Sequence, residues 1–148
     1  ATFLALAGLN RLGRDDVGAH PVAPEEMFPA VCQGVVGIER RENDNRIAEL
    51  LAPLNDSEAA LTSAAERTLL ARLDGSCRTP IAALAQVDGN DMYFRAAIVR
   101  PDGSKLIETE RRGAVADAAR MGEDAANELR GKAGPGFFVE TDIDNVDD

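Results

Sequence analysis

Cys77 is the leading candidate in this sequence for covalent chemistry. It lies in the segment Asp74-Gly75-Ser76-Cys77-Arg78-Thr79-Pro80, which is predicted to be a loop after a helix and before a strand. A thiol on a loop bounded by glycine and proline is accessible in a way that a core thiol is not. The cations of Arg72 and Arg78 favour the thiolate, whereas the negative end of the preceding helix opposes it. The residues alone leave two interpretations open, a reactive thiol or a partly buried small hydrophobic side chain.

Arg11 and Cys32 are the next candidates. Arg11 follows a short apolar run, where a guanidinium can bind a carboxylate or phosphate through two hydrogen bonds, although a lone arginine is more often a solvated surface residue. Cys32 lies in an apolar stretch and is interpreted as a buried structural thiol, and a disulfide with Cys77 would need a suitable geometry. His20 precedes Pro21 in a loop and is interpreted as a surface residue.

The residue types disfavour several other functions. One histidine and two cysteines, widely spaced, are too few for a zinc site, so we expect no metal. Neither a Walker motif nor Gly-x-Gly-x-x-Gly occurs. A net charge of −10 argues against non-specific binding to nucleic acid or anionic membranes. No apolar run approaches the ~20 residues of a membrane-spanning helix, and 148 residues of 45% hydrophobic composition suit one globular domain.

The second half of the chain predicts the elements that position the Cys77 loop. Asp56 or Ser57 caps a helix with an apolar stripe at four-residue spacing. Three strands joined by short turns at Gly89 and Gly103 follow, which implies antiparallel neighbours, and a last helix follows the third strand. The stripe consists of Leu61, Ala65, Leu69 and Leu73; the strands are predicted at 81–87, 92–99 and 104–111, and the helix at 115–129. The prediction is an α+β unit with helices packed on a three-stranded antiparallel sheet.

The first 54 residues predict a different kind of structure. Apolar, β-branched patterning favours strands at 2–7 and 31–39, and Asn43-Asp44-Asn45 predicts the cap of a short helix at 46–51. These strands have no obvious partners, and the chain opens in the middle of one. We therefore expect a piece of a longer protein, whose exposed strand edges favour self-association. The acidic tail from Glu140 is predicted to be frayed.

These motifs resemble the C-terminal half of the porphobilinogen deaminase (hydroxymethylbilane synthase) family. The Cys77 loop is the most specific of them, and its order and spacing from Arg11 fit the family. The resemblance covers nearly all of the chain up to about Glu140. The other matching stretches are Ala7-Gly8-Leu9-Asn10-Arg11-Leu12-Gly13, Pro29-Ala30-Val31-Cys32-Gln33-Gly34, Ala65-Glu66-Arg67, Pro101-Asp102-Gly103-Ser104 and Glu110-Arg111-Arg112-Gly113.

The resemblance implies a domain organisation. The family has two α/β domains like those of periplasmic binding proteins, which flank the active-site cleft, and a small third α+β domain. By this resemblance, residues 1–28 are the end of the second domain and residues 29–54 are a crossing strand and helix that return to the first. Residues 55–148 are then the cofactor-anchoring third domain with its acidic tail.

The resemblance also implies an activity in tetrapyrrole biosynthesis and a location in the cytoplasm. The family joins four porphobilinogen units, with loss of ammonia, to a dipyrromethane cofactor and releases hydroxymethylbilane. Cys77 corresponds to the cysteine that holds this cofactor through a thioether. Arg11 corresponds to an arginine that pairs with carboxylates of cofactor or substrate, and Gln33 and Gly34 lie where the family contacts the cofactor. The residues implied for the wall of the same cleft are Leu4, Ala5 and Gly8.

The sequence departs from the family in three respects. Cys32 and Ser76 stand where the family usually has glycine. The family's catalytic aspartate belongs to the N-terminal half, so no residue here is assigned to it and the isolated chain is expected to be inactive. The expected ligands are porphobilinogen and the growing oligopyrrole, and the expected partner is the N-terminal half. The alternative is a non-catalytic binding module that has kept the fold.

Overall fold

The computed structural model describes residues 2–14, 16–17, 20–73 and 79–138. Two short helices, α1 and α2, precede an α+β unit in the order helix, three strands, helix. A 3₁₀ turn follows α2, and a second leads into α4. The bounds are α1 Leu6–Arg11, α2 Asn45–Leu51, α3 Ser57–Arg72, β1 Ile81–Asp88, β2 Asp91–Val99, β3 Leu106–Ala114 and α4 Ala118–Ala133.

The three strands form an antiparallel sheet in the order β1-β2-β3. Gly89 and Gly103 have φ of +63° and +72° in the two connections, a conformation that glycine adopts without steric cost. β3 starts two residues later than predicted and extends to Ala114, because its pairing with β2 continues to Asp91. The predicted meander and both of its turns are therefore confirmed.

Helices α3 and α4 pack on one face of this sheet. Asp56 caps α3 by accepting a hydrogen bond from the Ala59 amide at 2.9 Å. The predicted apolar stripe of α3 is confirmed, since Ala65, Leu69 and Leu73 are buried against the sheet. The largest fully buried side chains are Phe94, Leu69, Met92, Ile98 and Leu129. The α+β prediction thus holds for residues 57–73 and 79–133, whose core lies between the helices and the sheet.

The two strands predicted in the first 54 residues are wrong. Residues 2–5 are irregular and lead into α1, residues 31–34 form a turn, and residues 35–41 are irregular. Ala30 makes a single β-bridge, to Ala82. A strand needs a neighbouring strand to satisfy its amides, and the described residues before Asn55 supply none. A helix satisfies its amides locally, and α2 forms as predicted, with Asp44 accepting from the Ile47 amide at 3.0 Å.

Exposed apolar side chains are concentrated in the same part of the chain. Phe3 is 75% exposed and Val36 is 88% exposed. Among the described residues, every exposed large hydrophobic side chain except Leu106 precedes Asn55. Such an apolar surface is typical of a segment that another domain or another protein covers.

Glu128 joins α4 to β3 through a charged cluster. Its carboxylate accepts from the Arg111 guanidinium at 2.6 Å and from the Thr109 hydroxyl at 2.8 Å, and Lys132 pairs with its second oxygen. Lys132, Thr109 and Arg111, in that order, lower the pKa of Glu128 from 4.5 to about 2. The cluster is partly exposed, so its contribution to stability is modest.

We expect the stability of the chain to fall between pH 4.5 and about 2 in part because Glu128 becomes protonated. A carboxyl group whose pKa is lower in the folded state stabilises the fold above its unfolded pKa, and this stabilisation is lost as the pH falls through the folded pKa. Urea unfolding of the wild type and Glu128→Gln at several pH values measures the effect. The variant should be the less stable at pH 7, and the difference should shrink toward pH 2.

The matched control for this cluster is Glu108→Gln, which removes an exposed carboxylate of β3. It should follow the wild type at every pH. A constant difference in stability between the wild type and Glu128→Gln from pH 7 to pH 2 would contradict the lowered pKa of Glu128.

No helix among the described residues has both the length and the apolar character needed to cross a bilayer.

Candidate functional site

Cys77 lies in the sequence between two described residues that the α+β unit holds in place, Leu73 and Pro80. Leu73, directly after α3, is 6% exposed and donates its amide hydrogen to the Leu69 carbonyl. On the other side, Ile81 is 8% exposed, and the Pro80 carbonyl accepts from the Val99 amide at 3.0 Å. Cys77 itself, with its predicted thioether or any bond to Cys32, lies outside the described residues. The predicted helix before Cys77 and the predicted strand after it are confirmed.

A second segment, residues 28–34, lies along the free edge of β1. The Pro29 carbonyl accepts from the Ala83 amide at 3.2 Å, and Ala30 bridges Ala82. The Arg95 guanidinium lies over the Phe28 ring, 4.0 Å from its centroid, a favourable cation–π contact. These contacts bring the predicted site residues Gln33 and Gly34 to the unit that carries Cys77.

Cys32 has a backbone conformation that side chains rarely adopt. Its φ is +56°, and it is the only non-glycine residue with a positive φ in the described part of the chain. The left-handed conformation costs an L-residue roughly 1–2 kcal/mol, which explains physically why glycine suits this position of the motif. The thiol is half-buried, and burial, followed by the negative charge of Glu66, raises its pKa above 9.0. Cys32 is therefore a weak nucleophile near neutral pH.

Glu66 holds the Cys32 turn and the sheet together. It is the one charged residue classed as buried in the described chain, with 6% exposure. One carboxylate oxygen accepts from the Cys32 amide at 2.6 Å, and the other accepts from the Ala85 amide at 2.9 Å. We call this arrangement the Glu66 bridge. A buried carboxylate needs such hydrogen bonds to offset its desolvation.

Sequence reasoning did not identify Glu66 as a site residue. The signal that could have found it is its position beside Ala65, within the apolar stripe of α3, inside one of the motifs that carry the family resemblance. An acidic residue at such a position requires a buried partner. The partners themselves lie 34 and 19 residues away in the sequence, so no local pattern indicates them.

The remaining predicted site residues belong to α1 and its approach. Leu4 and Ala5 precede the helix, Gly8 lies within it and Arg11 lies in its last turn, and all four are exposed. The backbone hydrogen bonds of α1 stay within residues 5–14. The structure therefore brings Gln33 and Gly34 to β1, whereas it presents the α1 residues to the outside. Within the described residues there is no cluster of three or more His, Cys, Asp or Glu side chains that could hold a metal ion.

Two family models match this chain in succession. The model described as "Porphobilinogen deaminase, dipyromethane cofactor binding domain" matches residues 1–49. The model described as "Porphobilinogen deaminase, C-terminal domain" matches residues 60–131, which contain most of α3, Cys77, the whole sheet and most of α4. The unmatched residues between them, 50–59, run from the end of α2 into the first turn of α3.

Curated relatives agree with both models. A porphobilinogen deaminase of Paracoccus denitrificans is 56% identical over 138 residues, which cover 93% of this chain and 44% of the relative. Porphobilinogen deaminases of Nitrobacter hamburgensis and Nitrobacter winogradskyi are 51% and 50% identical over 139 residues, again 94% of this chain and 44% of each relative. The chain spans less than half the length of these relatives, and along nearly all of its own length it belongs to the porphobilinogen deaminase family.

Proposed function

We propose that this chain is the cofactor-anchoring half of a porphobilinogen deaminase. The complete enzyme joins four porphobilinogen units, with loss of ammonia, to a dipyrromethane held by Cys77 through a thioether. The observation that carries the proposal is the position of Cys77 in the sequence between α3 and β1, in a chain that is 50–56% identical to proteins named porphobilinogen deaminase. Cytoplasmic tetrapyrrole synthesis is the corresponding role.

The residues present have the chemistry that a dipyrromethane requires. Each pyrrole of this group carries an acetate and a propionate, and an exposed guanidinium such as Arg11 can bind a carboxylate through two parallel hydrogen bonds. Gly34 has a φ of +84° and open space around its α-carbon, so its backbone is approachable. Gln33 is exposed beside it and offers an amide group.

Each site residue then has a distinct task. Cys77 anchors the group, Arg11 orients its carboxylates, and Gln33 and Gly34 contact it where the chain crosses between domains. Leu4, Ala5 and Gly8 line the wall of the cleft. When bound, the dipyrromethane supplies the pyrrole carbon to which the first incoming unit is joined. The thioether suits an anchor because it withstands acid–base chemistry.

The domain organisation is part of the same proposal. Residues 1–28 end a second α/β domain of the periplasmic-binding-protein type, residues 29–54 cross back to the first, and residues 55–148 form the third domain. The exposed apolar side chains before Asn55 support this division, because the remainder of the enzyme would cover them. The docking of residues 28–34 on β1 supports a connection between the crossing segment and the third domain.

The isolated chain should have no deaminase activity, and complementation should restore it. The catalytic aspartate is expected in the part of the enzyme that the chain lacks relative to its relatives. We expect co-expression with the N-terminal half of the Paracoccus denitrificans enzyme to restore turnover of porphobilinogen. The intact mass of the chain should then increase by one dipyrromethane, and peptide mapping should place it on Cys77.

Two cysteine variants make this experiment specific. Cys77→Ser should abolish both the mass increase and the restored turnover, whereas Cys32→Ser should retain them. Turnover by the 148-residue chain alone, or a mass increase in Cys77→Ser, would show the proposal to be wrong. Alkylation of the unmodified chain is expected to be slower at Cys32 than at an ordinary thiol, because the pKa of Cys32 is raised by burial and by Glu66.

A non-catalytic binding module is the second candidate. The exposed apolar side chains before Asn55 favour it, because they would also support self-association. A concentration-dependent dimer that shows no mass increase after co-expression would favour this reading over the enzyme. A binding module has no need of Cys77 or Arg11, so the cysteine variants also separate the two.

A further inference from the structure

The Glu66 bridge joins three separate parts of the chain. Glu66 lies in α3, Cys32 in the crossing segment and Ala85 in β1. Each oxygen of the carboxylate accepts a hydrogen bond from one backbone amide. Hydrogen bonds to a charged group are about twice as strong as those between neutral groups. The bridge is therefore a charge-assisted contact between the crossing segment and the third domain.

The bridge also determines the orientation of the turn that follows. The Cys32 amide donates to Glu66 of α3, and the left-handed φ of Cys32 sets the direction of the chain after this hydrogen bond. The Gln33 amide donates to the Ala30 carbonyl at 3.0 Å, and the Val35 amide donates to the Cys32 carbonyl at 3.1 Å. These two hydrogen bonds close the turn around Cys32. The positions of Gln33 and Gly34 therefore depend on the position of the Cys32 amide. Gln33 and Gly34 themselves are exposed.

The same glutamate lies on the helix that leads to the Cys77 loop. Glu66 is followed by six further residues of α3, up to Arg72, and then by the buried Leu73. A packed helix transmits position with little flexibility. One side chain thus connects the Gln33–Gly34 turn to the helix that ends next to Leu73, the last described residue before Cys77.

We propose that Glu66 is a positioning residue that holds the Gln33–Gly34 turn against α3 and β1, the two elements between which Cys77 lies in the sequence. This role rests on the proposed function, in which Gln33, Gly34 and Cys77 contact the same cofactor. Glu66 acts through the two backbone amides of Cys32 and Ala85.

Amide hydrogen exchange of the 148-residue chain tests the bridge directly. Glu66→Gln keeps the size of the side chain but presents an NH₂ group to one of the two amides, so one hydrogen bond is lost. We expect exchange at Cys32 and across residues 28–34 to accelerate at least tenfold, with β2 and β3 unchanged. Glu58→Gln, in the exposed first turn of the same helix, is the matched control and should change nothing.

A second variant separates positioning from general stability. Glu66→Asp keeps the charge but withdraws the carboxylate by one methylene, and it should also release residues 28–34 selectively. Unchanged exchange at Cys32 in both folded variants would overturn the proposal. Uniform loss of protection over the whole sheet in both variants would also overturn it, because Glu66 would then serve the stability of the unit as a whole.

Activity after complementation supplies the functional test. With the N-terminal half present, Glu66→Gln should still acquire the mass increase on Cys77 but should lower kcat at least tenfold. A normal kcat would show that Glu66 does not position the site. If the wild-type chain itself acquires no cofactor, the proposed function fails, and the exchange measurements still decide whether the bridge exists.

Discussion

Replacing Gly122 by alanine is expected to destabilise the chain by about 3 kcal/mol or more. Gly122 is buried where α4 crosses α3, and a Cβ there would lie 2.1 Å from the Ala65 carbonyl oxygen. The neighbouring atom is backbone, so no side chain can move aside and the two helices must separate. The gain in helix propensity, about 1 kcal/mol, cannot offset this overlap. Urea unfolding followed by circular dichroism measures the loss.

Gly131 offers the matched control in the same helix. It is exposed, and a Cβ at this position meets nothing within 4 Å. Gly131→Ala should therefore raise the free energy of unfolding by up to about 1 kcal/mol. Equal stability of the two variants would mean that α3 and α4 are not in close contact at Gly122. A total stability of roughly 5–15 kcal/mol for such a domain makes the expected difference easy to measure.

The second large effect is expected from Phe94→Ala. Phe94 has 0% exposure in the central strand, between the sheet and both helices. Truncation of a buried phenylalanine costs about 3–5 kcal/mol, because transfer free energy is lost and a cavity remains. The midpoint of urea unfolding should fall with little change in the slope, since the surface exposed on unfolding is nearly the same.

Phe3→Ala makes the same chemical change at an exposed position. Phe3 is 75% exposed, so its removal should change the free energy of unfolding by less than about 0.5 kcal/mol. After complementation with the N-terminal half, the same variant should weaken association if residues 2–54 are covered there. A loss of several kcal/mol in the isolated chain would contradict the structure of this segment.

Local sequence patterns were enough to predict the α+β unit. The apolar stripe of α3, the Asp56 cap and the glycines of the two turns are local signals, and each specifies an element without reference to distant residues. The antiparallel order followed, because short connections leave neighbouring strands no other arrangement. The position of Cys77 between a helix and a strand was predictable for the same reason, and the resemblance to the family rested on its loop.

The strands predicted before Asn55 failed because a strand is not a local structure. Residues 2–7 and 31–39 have β-branched or apolar patterns, but their amides need partners that the described chain does not supply. The outcome is a short helix at Leu6–Arg11 and a turn at residues 31–34, which satisfy part of their amides locally. Pattern alone could not decide between these conformations.

The contacts between residues far apart in the sequence could not be predicted in this way. The Glu66 bridge joins residues 34 and 19 positions apart, and the close approach at Gly122 depends on how two helices cross. The Arg95–Phe28 contact likewise needs the crossing segment to lie along β1. Local sequence patterns do not predict such contacts. The contacts arise when complete helices and strands pack against each other, whereas local patterns reflect only the preferences of neighbouring residues.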